Sequence, residues 1–468
     1  MNEAILPDLI IALGFLLVLA AGFIRPLSFM QLKVISSIFV LAAIVIHFIL
    51  PQSAGLVFNG HLLFDSFSHA ARSLILLTGL FLIFITHQNQ IKKHQHEYFA
   101  FLLAIVSGAM VMVVSNHVIT LMVAIEITAI SSYVLAGYLF RIEGTEAAVK
   151  YFIYGSIATA VLAFGISLMY GATGNLIIQD LAVDVQGALE NRETGFVTLG
   201  FLMITAAILF KLAAAPVHLW APDIYQAAPT PVIAIFSTLP KIASALVLIK
   251  LLLSGDGRVG EPQIIAGILA ALTLAAGNFP ALRQTNLKRL MAYSSIGQAG
   301  FLLTAMVATP DSARSGLLFY ALVTAIANLL VFYCLQFFEV YNDSNEIKGL
   351  AGLGKFNFLA ATGLTFGVFS LIGMPPFAGF SAKLVIFMNL WSSGAAEGDK
   401  ILLFLFIFGL LNTLMALFYY LQIPFYLLIR KSEKDHSVNH LKISESLLIV
   451  TLSFLLILLF LRPEFGIF

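Results

Sequence analysis

Four ionisable residues stand inside long apolar stretches of the sequence, namely Glu126, Lys211, Lys241 and Lys383. A charge at the centre of a bilayer is unfavourable by about 2.5–3.5 kcal/mol on insertion scales, so such residues usually face a protein interior or water. Glu126 can neutralise one lysine but not three, so at least two lysines must be neutral or hydrated part of the time. Buried lysines of this kind can exchange protons near neutral pH. The four residues therefore predict proton transfer inside a membrane, and the alternative is a fixed ion pair that only holds helices together.

Two of these lysines lie beside prolines. Pro216 follows Lys211, and Pro375 and Pro376 precede Lys383. Proline removes a backbone donor and clashes with the preceding helical turn, and in a membrane the freed carbonyl groups must be met by protein or water. We therefore expect two broken helices at which water and a titratable lysine can meet. A plain kink would leave the lysines unexplained.

The composition shows which elements must position these residues. Apolar residues make up 60% of the 468 residues, charged residues only 10%, and the mean hydropathy is +0.98. These values exclude a soluble globular protein and a disordered chain, and a net charge of +1 leaves no basic surplus for nucleic acid. A single cysteine, Cys334, excludes a disulfide framework, a thiolate zinc site and an Fe–S cluster. We expect no metal and no cofactor to be bound by this chain.

The apolar runs predict an all-α polytopic membrane protein with about fourteen transmembrane helices, because each run reaches the roughly 20 residues that a bilayer requires. The runs are continuous and do not alternate, which excludes a β-barrel. No basic segment or cleavage site accompanies the first run, so we expect it to be retained. The predicted spans are 4–24, 33–50, 62–86, 98–114, 118–140, 147–171, 196–220, 231–253, 262–282, 290–308, 314–339, 356–391, 401–429 and 444–462.

Lys and Arg residues in the loops orient the spans. Loops that follow odd-numbered spans hold fifteen of them and the opposite side holds six. Because positive loops stay in the cytoplasm, this bias predicts a bacterial inner-membrane protein with both termini on the periplasmic side.

Spans 4–8 and 9–13 form two groups of five. Five is an odd number, so two similar groups in succession must be inverted, as in many transporters. In each group the fourth helix is the proline-broken one. The second helix carries Glu126 in the first group and Ser294, Ser295 and Gln298 in the second. We expect these three residues, with His218 in the first group, to hold water near the lysines.

No loop is long enough for a separate domain, so residues 1–468 are predicted to form a single membrane domain. Its expected parts are three N-terminal helices in 1–97, the first repeat in 98–253, the inverted repeat in 262–429 and a last helix in 444–468.

Three local patterns favour structural interpretations. Residues 255–260 match G-x-G-x-x-G, but a short loop between apolar spans lacks the strand and helix of a dinucleotide site. His94 and His96 stand in a basic loop and offer only two of the ligands that a metal needs. Asp65, His69 and Arg72 fall on one helix face, where we expect them to satisfy each other.

Three motifs resemble the antiporter-like membrane subunits of the proton-pumping NADH:quinone oxidoreductases, or respiratory complex I. They are KLAAAPVHLWAPDIYQAAPTP at 211–231, QTNLKRLMAYSSIGQ at 284–298 and GMPPFAGFSAK at 373–383, and the resemblance extends over about 98–430. Three details depart from the usual pattern, namely Val217 for Phe, Gln298 for a common histidine, and Ser381 with Ala382 before the lysine. Glutamine cannot titrate, although it can hold water.

The resemblance implies a subunit that has no redox centre and pumps protons while quinone is reduced elsewhere in the complex. Glu126 and Lys211 would form the family's ion pair, Lys241 would be the central lysine, and Lys383 would lie on the outward path. The complex as a whole would use FMN, Fe–S clusters, NADH and quinone. Its other membrane-arm subunits, including further antiporter-like subunits and small helical ones, would be the partners of this chain.

Three other functions are compatible with the same features to different degrees. A subunit of a multisubunit cation/proton antiporter, of a membrane-bound hydrogenase or of a ferredoxin-dependent complex would share the fold and the lysines. Sodium sites favour carboxylates, however, and only Glu126 lies deep in an apolar run. A purely structural spacer predicts that lysine substitutions are silent, and a stand-alone carrier predicts activity in the isolated chain.

Overall fold

The computed structural model describes residues 3–24, 26–50, 55–138, 142–190, 195–252, 261–339, 345–431 and 441–466. Helices dominate these residues. Two short strands, Gly55–Val57 (β1) and Leu62–Phe64 (β2), pair as an antiparallel hairpin. Twelve of the described helices are long and apolar enough to cross a membrane. The predicted class of a polytopic helical membrane protein is therefore confirmed, with the small hairpin as an addition.

The chain divides into two compact units. The first comprises Met1–Phe84, Ile91–Trp220 and Leu239–Ile265, and the second comprises Ile85–Gln90, Ala221–Thr238 and Ala266–Phe468. The first unit holds α1 (Leu6–Ile24), α2 (Phe29–Ile49), α3 (Ser66–Ile85, except its last residue), α4 (Gln95–Val114), α5 (Val118–Ala136), α6 (Ile142–Thr173), α7 (Ile178–Glu190) and α8 (Gly195–Leu212). Both units receive residues from α9 (Trp220–Ala227), α10 (Thr230–Leu252) and α11 (Glu261–Ala281). The second unit holds α12 (Leu287–Ala305), α13 (Pro310–Glu339), α14 (Phe358–Ile372), α15 (Ala378–Ser392), α16 (Lys400–Tyr420), the single turn α17 (Gln422–Pro424) and α18 (Ile443–Leu461).

In the first unit, the helices that pack against α6 position the buried charges. α6 packs against α5 on one side and against α8 on another, while α4 packs against α1, α2 and α5. α7 lies against α8 and buries Leu181 and Val185, which are one helical turn apart. The α5–α6–α8 group is therefore the part of this unit that can bring Glu126 and Lys211 together.

In the second unit, α13 is the central helix. It contacts α12, α14, α15 and α18, and 22 of its 30 residues are buried. Asparagine side chains fix the starts of two of its neighbours, since Asn286 accepts from the backbone N–H of Arg289 at 3.1 Å and Asn357 accepts from that of Ala360 at 3.1 Å. Such N-caps satisfy donors that a helix start leaves without a partner.

The two predicted proline-broken helices are confirmed. The predicted span 196–220 is α8, which stops at Leu212, followed by the separate helix α9. The predicted span 356–391 consists of two helices of fifteen residues, α14 and α15.

The predicted span 290–308 is α12, which is a helix of suitable length but falls outside the set of strongly apolar ones. The count of fourteen transmembrane helices stays a prediction, as do the domain boundaries.

One predicted cluster is wrong. Arg72 forms a buried ion pair with Asp8 of α1 and does not pair with Asp65. Asp65 instead accepts from the backbone N–H of Ser68 at 2.7 Å and so caps α3. The predicted spacing along the helix was correct, but the Arg72 guanidinium pairs with a carboxylate on another helix.

The G-x-G-x-x-G pattern at 255–260 lies outside the described residues.

Candidate functional site

The first helix break places Lys211 in the last turn of α8. The helix ends because Ala213 adopts the left-handed conformation with φ 57°, which ordinary side chains rarely occupy. The indole N–H of Trp220 donates to the carbonyl of Phe210 at 3.1 Å and so satisfies one of the carbonyl groups at this helix end. Pro216 is exposed and follows a cis peptide bond.

Aromatic rings surround the Lys211 ammonium, whose residue is only 4% exposed. Nζ lies 5.0 Å from the ring centre of Tyr133, 5.6 Å from that of Phe210 and 5.9 Å from that of Tyr151. It also donates a hydrogen bond of 3.2 Å to the hydroxyl of Tyr133. Ring faces attract cations, most strongly where water is excluded. The chain thus provides this lysine with a cation site made of rings and one phenol.

Glu126 interacts with Lys211 at a distance. Its carboxylate accepts a hydrogen bond of 2.5 Å from the hydroxyl of Thr159 on α6, and it acts electrostatically on both Lys211 and Tyr133. The structure describes both charged side chains, and it shows no direct ion pair between them. Glu126 is only half-buried. The two charges therefore influence each other electrostatically without direct contact.

Lys241 lies inside α10 and is 3% exposed. The preceding residue, Pro240, cannot donate the helical hydrogen bond of its position. The hydroxyls of Thr238 and Ser244 bond carbonyl groups of their own helix at 2.7 Å each. The half-buried His218, which comes just after the first break, interacts electrostatically with Lys241.

The second helix break lies between α14 and α15. α14 ends at Ile372, and its cap residue Gly373 has a φ of 90°, the left-handed conformation that favours glycine. α15 then approaches the end of α14 so closely that a Cβ on Gly379 would lie 1.6 Å from the carbonyl oxygen of Ser370. The backbone N–H of Gly379 donates to the Ser370 hydroxyl at 3.2 Å. Pro375 and Pro376 are exposed in the connecting segment.

Lys383 projects from α15 onto the broken end of α14. Its ammonium donates to the carbonyl groups of Ile372 at 2.8 Å and Leu371 at 3.2 Å, and it stands 4.2 Å from the ring centre of Phe301. The residue is 4% exposed. The last carbonyl groups of a helix carry partial negative charge and attract cations. A helix end and a ring therefore form this cation site, and no carboxylate of the described residues takes part in it.

Two of the predicted hydration residues of the second unit, Ser294 and Gln298, belong to one buried network around Tyr420. The Gln298 amide donates to the Leu371 carbonyl at 3.1 Å and to the Tyr420 hydroxyl at 3.3 Å, and the Tyr320 hydroxyl donates to its oxygen. Gln298 and Lys383 thus share the Leu371 carbonyl. Ser294 bonds the Tyr420 hydroxyl, and the hydroxyls of Ser295 and Tyr225 are 3.3 Å apart.

The two breaks resemble each other, but their lysines differ in their order along the chain. A left-handed residue, Ala213 or Gly373, directly follows each helix, and a proline comes three positions after it. Lys211 precedes its break, whereas Lys383 follows its own. The two lysines therefore correspond in lying beside a helix break, but they do not occupy equivalent positions along the chain.

Several partners of the predicted site residues are not apparent from the sequence. Thr159 bonds Glu126, Tyr133 and Tyr151 surround Lys211, and Phe301 packs on Lys383. Only Tyr133 left a signal, because it comes seven residues after Glu126 and so shares its helix face. The other contacts join separate helices, which the spacing along the chain does not reveal.

Each lysine can hold a proton. At two of the sites, the loss of that proton leaves no anion in direct contact with the neutral lysine. When Lys383 is neutral, the carbonyl groups and the ring beside it remain neutral too. When Lys211 is neutral, Glu126 keeps its hydrogen bond from Thr159. Buried charges are most unfavourable when they are left without a partner. No group of three His, Cys, Asp or Glu side chains that could hold a metal occurs among the residues that the structure describes.

Broken helices with buried lysines beside them define an antiporter-like membrane subunit, and comparisons with known proteins agree. Residues 115–415 match the family described as NADH:quinone oxidoreductase/Mrp antiporter, TM. NADH-quinone oxidoreductase subunit N of Francisella tularensis subsp. holarctica is 34% identical over 434 residues, which cover 90% of this chain and 87% of the relative. The chain belongs to the NADH-quinone oxidoreductase subunit N family.

Solved structures show the same fold. A chain of respiratory complex I from Thermus thermophilus superposes with a TM-score of 0.80 and 25% identity, over 98% of this chain and 97% of that one. A chain of the membrane-bound sulfane sulfur reductase, an archaeal respiratory membrane complex, gives a TM-score of 0.86 and 25% identity, over 99% and 95%.

Proposed function

We propose that this chain is the proton-translocating membrane subunit of an NADH:quinone oxidoreductase, in which Glu126, Lys211, Lys241 and Lys383 carry the proton. A charge change in the adjoining membrane arm alters the interaction between Glu126 and Lys211. Lys211 then releases its proton through water towards Lys241. Lys241 passes it to Lys383, which releases it outward, and the first helix group reloads from the cytoplasm.

The observation that carries this proposal is the environment of two buried lysines, Lys211 and Lys383. A lysine that served only to tie helices together would be expected in a direct ion pair. Lys211 instead contacts rings and a phenol, and Lys383 contacts carbonyl groups and a ring. Such partners stabilise an ammonium group. When the lysine becomes neutral, they leave no unpaired charge in contact with it.

The rest of the complex supplies the chemistry that this chain lacks. FMN, Fe–S clusters, NADH and quinone belong to other subunits, and quinone reduction there drives proton transfer here. The partners are other membrane-arm subunits, including further antiporter-like subunits and small helical ones. The chain lies in the bacterial inner membrane, and the excess of Lys and Arg in alternate loops supports periplasmic termini.

A cation/proton antiporter is the second candidate, because the matched family includes Mrp antiporters and the likeness to the sulfane sulfur reductase shows that related subunits serve other complexes. The two functions differ in the phenotype of a deletion strain. Loss of an antiporter subunit impairs growth in high salt, whereas loss of an oxidoreductase subunit removes NADH oxidase activity that is coupled to proton pumping.

The direct test is the Lys241→Ala variant in membrane vesicles that contain the assembled complex. We expect fewer protons pumped per NADH oxidised, because the middle lysine of the path is missing. Lys250→Ala is the matched control, since Lys250 lies at the end of the same helix and donates to the Val113 carbonyl. Unchanged stoichiometry in Lys241→Ala with normal assembly would overturn the proposed path.

A further inference from the structure

A second pair of charges lies where α12 begins and α13 ends. Lys288 in the first turn of α12 forms an ion pair of 2.5 Å with Glu339, the last residue of α13. The other carboxylate oxygen accepts from the Thr230 hydroxyl at 2.6 Å and from the Gln90 amide at 3.2 Å. The two charged side chains are 13% and 20% exposed, so both are largely buried but still reach the surface.

Lys288 and Glu339 line a cavity of about 20 Å³. That volume holds about one water molecule, and a water needs polar partners of the kind that Lys288, Glu339 and Thr230 provide. Most of its remaining lining is apolar and includes Ile233, Leu287, Met291, Phe332 and Leu335. Apolar linings can gate channels by drying and wetting.

The helix that carries Lys288 leads from the cavity to Lys383. Lys288, Met291, Ser295 and Gln298 follow one another at spacings of three and four residues, so they share one face of α12. Beyond Met291, the network of hydroxyl groups around Ser294 and Tyr420 reaches Gln298, which shares the Leu371 carbonyl with Lys383. All of these groups lie in the second unit.

We propose that Lys288 and Glu339 form a gated proton-access site through which the second helix group takes up protons from the Lys/Arg-rich side of the chain. When the ion pair opens, the Glu339 carboxylate accepts a proton from bulk water and passes it to water in the cavity. Wetting of the apolar lining at Met291 then lets water carry the proton along α12 to the neutral Lys383 amine. Gln298 holds water and orients the Leu371 carbonyl but does not itself exchange protons.

This proposal rests on the proposed function, because it needs Lys383 to be a proton carrier. It adds a loading route that does not pass through Lys211 or Lys241. The alternative is that the pair only ties α12 to α13. The two explanations differ in whether water reaches Met291 and in whether the Glu339 charge affects proton pumping.

The first experiment uses the native complex, with hydroxyl radicals generated in place by brief X-ray irradiation. Met291, Met110 and Met306 are all at most 1% exposed, so accessibility alone predicts equally slow oxidation. Because Met291 lines the cavity, we expect it to be oxidised several-fold faster than the other two. Equal oxidation of the three methionines would show that water does not reach Met291 and would overturn the proposal.

The second experiment measures protons pumped per NADH oxidised in vesicles that contain the Glu339→Gln variant. The amide keeps an acceptor for Thr230 but cannot take up a proton, so we expect a lower ratio in the assembled complex. Glu346→Gln, on the exposed Glu346 of the following loop, is the control and should pump normally. A normal ratio in Glu339→Gln would refute the access site. If Lys241→Ala still lowers the ratio in the same assay, the proposed function stands without it, and if neither variant does, both fail.

Discussion

The close contact between α14 and α15 yields the sharpest structural prediction, for the Gly379→Ala variant. A Cβ at this position would lie 1.6 Å from the Ser370 carbonyl oxygen, whereas real Cβ atoms stay at least 3.0 Å from such a neighbour. The difference requires the two backbones to separate by at least 1.4 Å. Ser370 directly precedes the carbonyl groups that bind Lys383. The separation of the two backbones therefore moves these carbonyl groups away from the lysine.

The consequence for Lys383 follows from its two hydrogen bonds of 2.8 and 3.2 Å. A displacement of this size takes both beyond the roughly 3.5 Å at which a hydrogen bond ceases to count. Hydrogen bonds to charged groups contribute about 1.5–3 kcal/mol each, so losing two changes the stability of the ammonium form by at least about 3 kcal/mol. That corresponds to about a hundredfold change in a protonation equilibrium.

The assay is the initial rate of vesicle acidification relative to NADH oxidation, with complex content measured by an artificial electron acceptor. We expect Gly379→Ala to assemble but to pump fewer protons per NADH. Gly297→Ala is the control, because its nearest neighbour would be 3.4 Å from the new Cβ, an ordinary contact. Normal pumping by Gly379→Ala would show that the geometry of the helix break does not govern Lys383.

Two further predictions concern the first unit. Tyr133→Phe keeps the ring beside Lys211 but removes the hydroxyl that accepts its hydrogen bond, so we expect coupled NADH oxidation to slow by up to about tenfold. An unchanged rate would mean that the phenol is a bystander. Asp8→Asn leaves Arg72 buried without its counter-charge and should destabilise the assembled complex by about 3–5 kcal/mol. In a thermal denaturation series Asp65→Asn should lose less than about 1 kcal/mol, because asparagine also caps helices, and equal losses would contradict the observed pairing.

The sequence predicted the elements well because hydrophobic length and proline are local signals. The apolar runs and the two broken helices need no knowledge of the neighbours of a helix. The exact end of α8 was harder to predict, because a left-handed alanine at 213 leaves no mark in the composition. The division of 356–391 into two helices of fifteen residues follows from Gly373 and the two prolines, although the predicted span joined them.

The partners of the buried charges could not be predicted in the same way. Arg72 has Asp65 within reach along its own helix, yet it pairs with Asp8 on α1. Lys211 meets Tyr133 from α5 and Tyr151 from α6. Such contacts depend on which helices pack together, and apolar membrane helices carry little sequence information about that choice. The polar side chains that a lysine needs therefore become visible only in the folded chain.

A common principle emerges from Lys211 and Lys383. Each ammonium group lies at a helix break, near carbonyl groups or rings that attract a cation without carrying a full charge. A carboxylate in direct contact would hold the proton more firmly and would be left as a buried anion after its release. The arrangement suits a group that must hold a proton briefly and then give it up.

The central claim is that a buried lysine in this chain changes its protonation state during turnover. The most direct measurement is the number of protons pumped per NADH oxidised by the assembled complex with Lys241→Arg, compared with Lys241→Ala and the native chain. Arginine preserves the positive charge but cannot release a proton in a protein. We predict that Lys241→Arg lowers the ratio as much as Lys241→Ala does. A native ratio in Lys241→Arg, with a reduced one in Lys241→Ala, would show that only the fixed charge matters and would contradict proton transfer through Lys241.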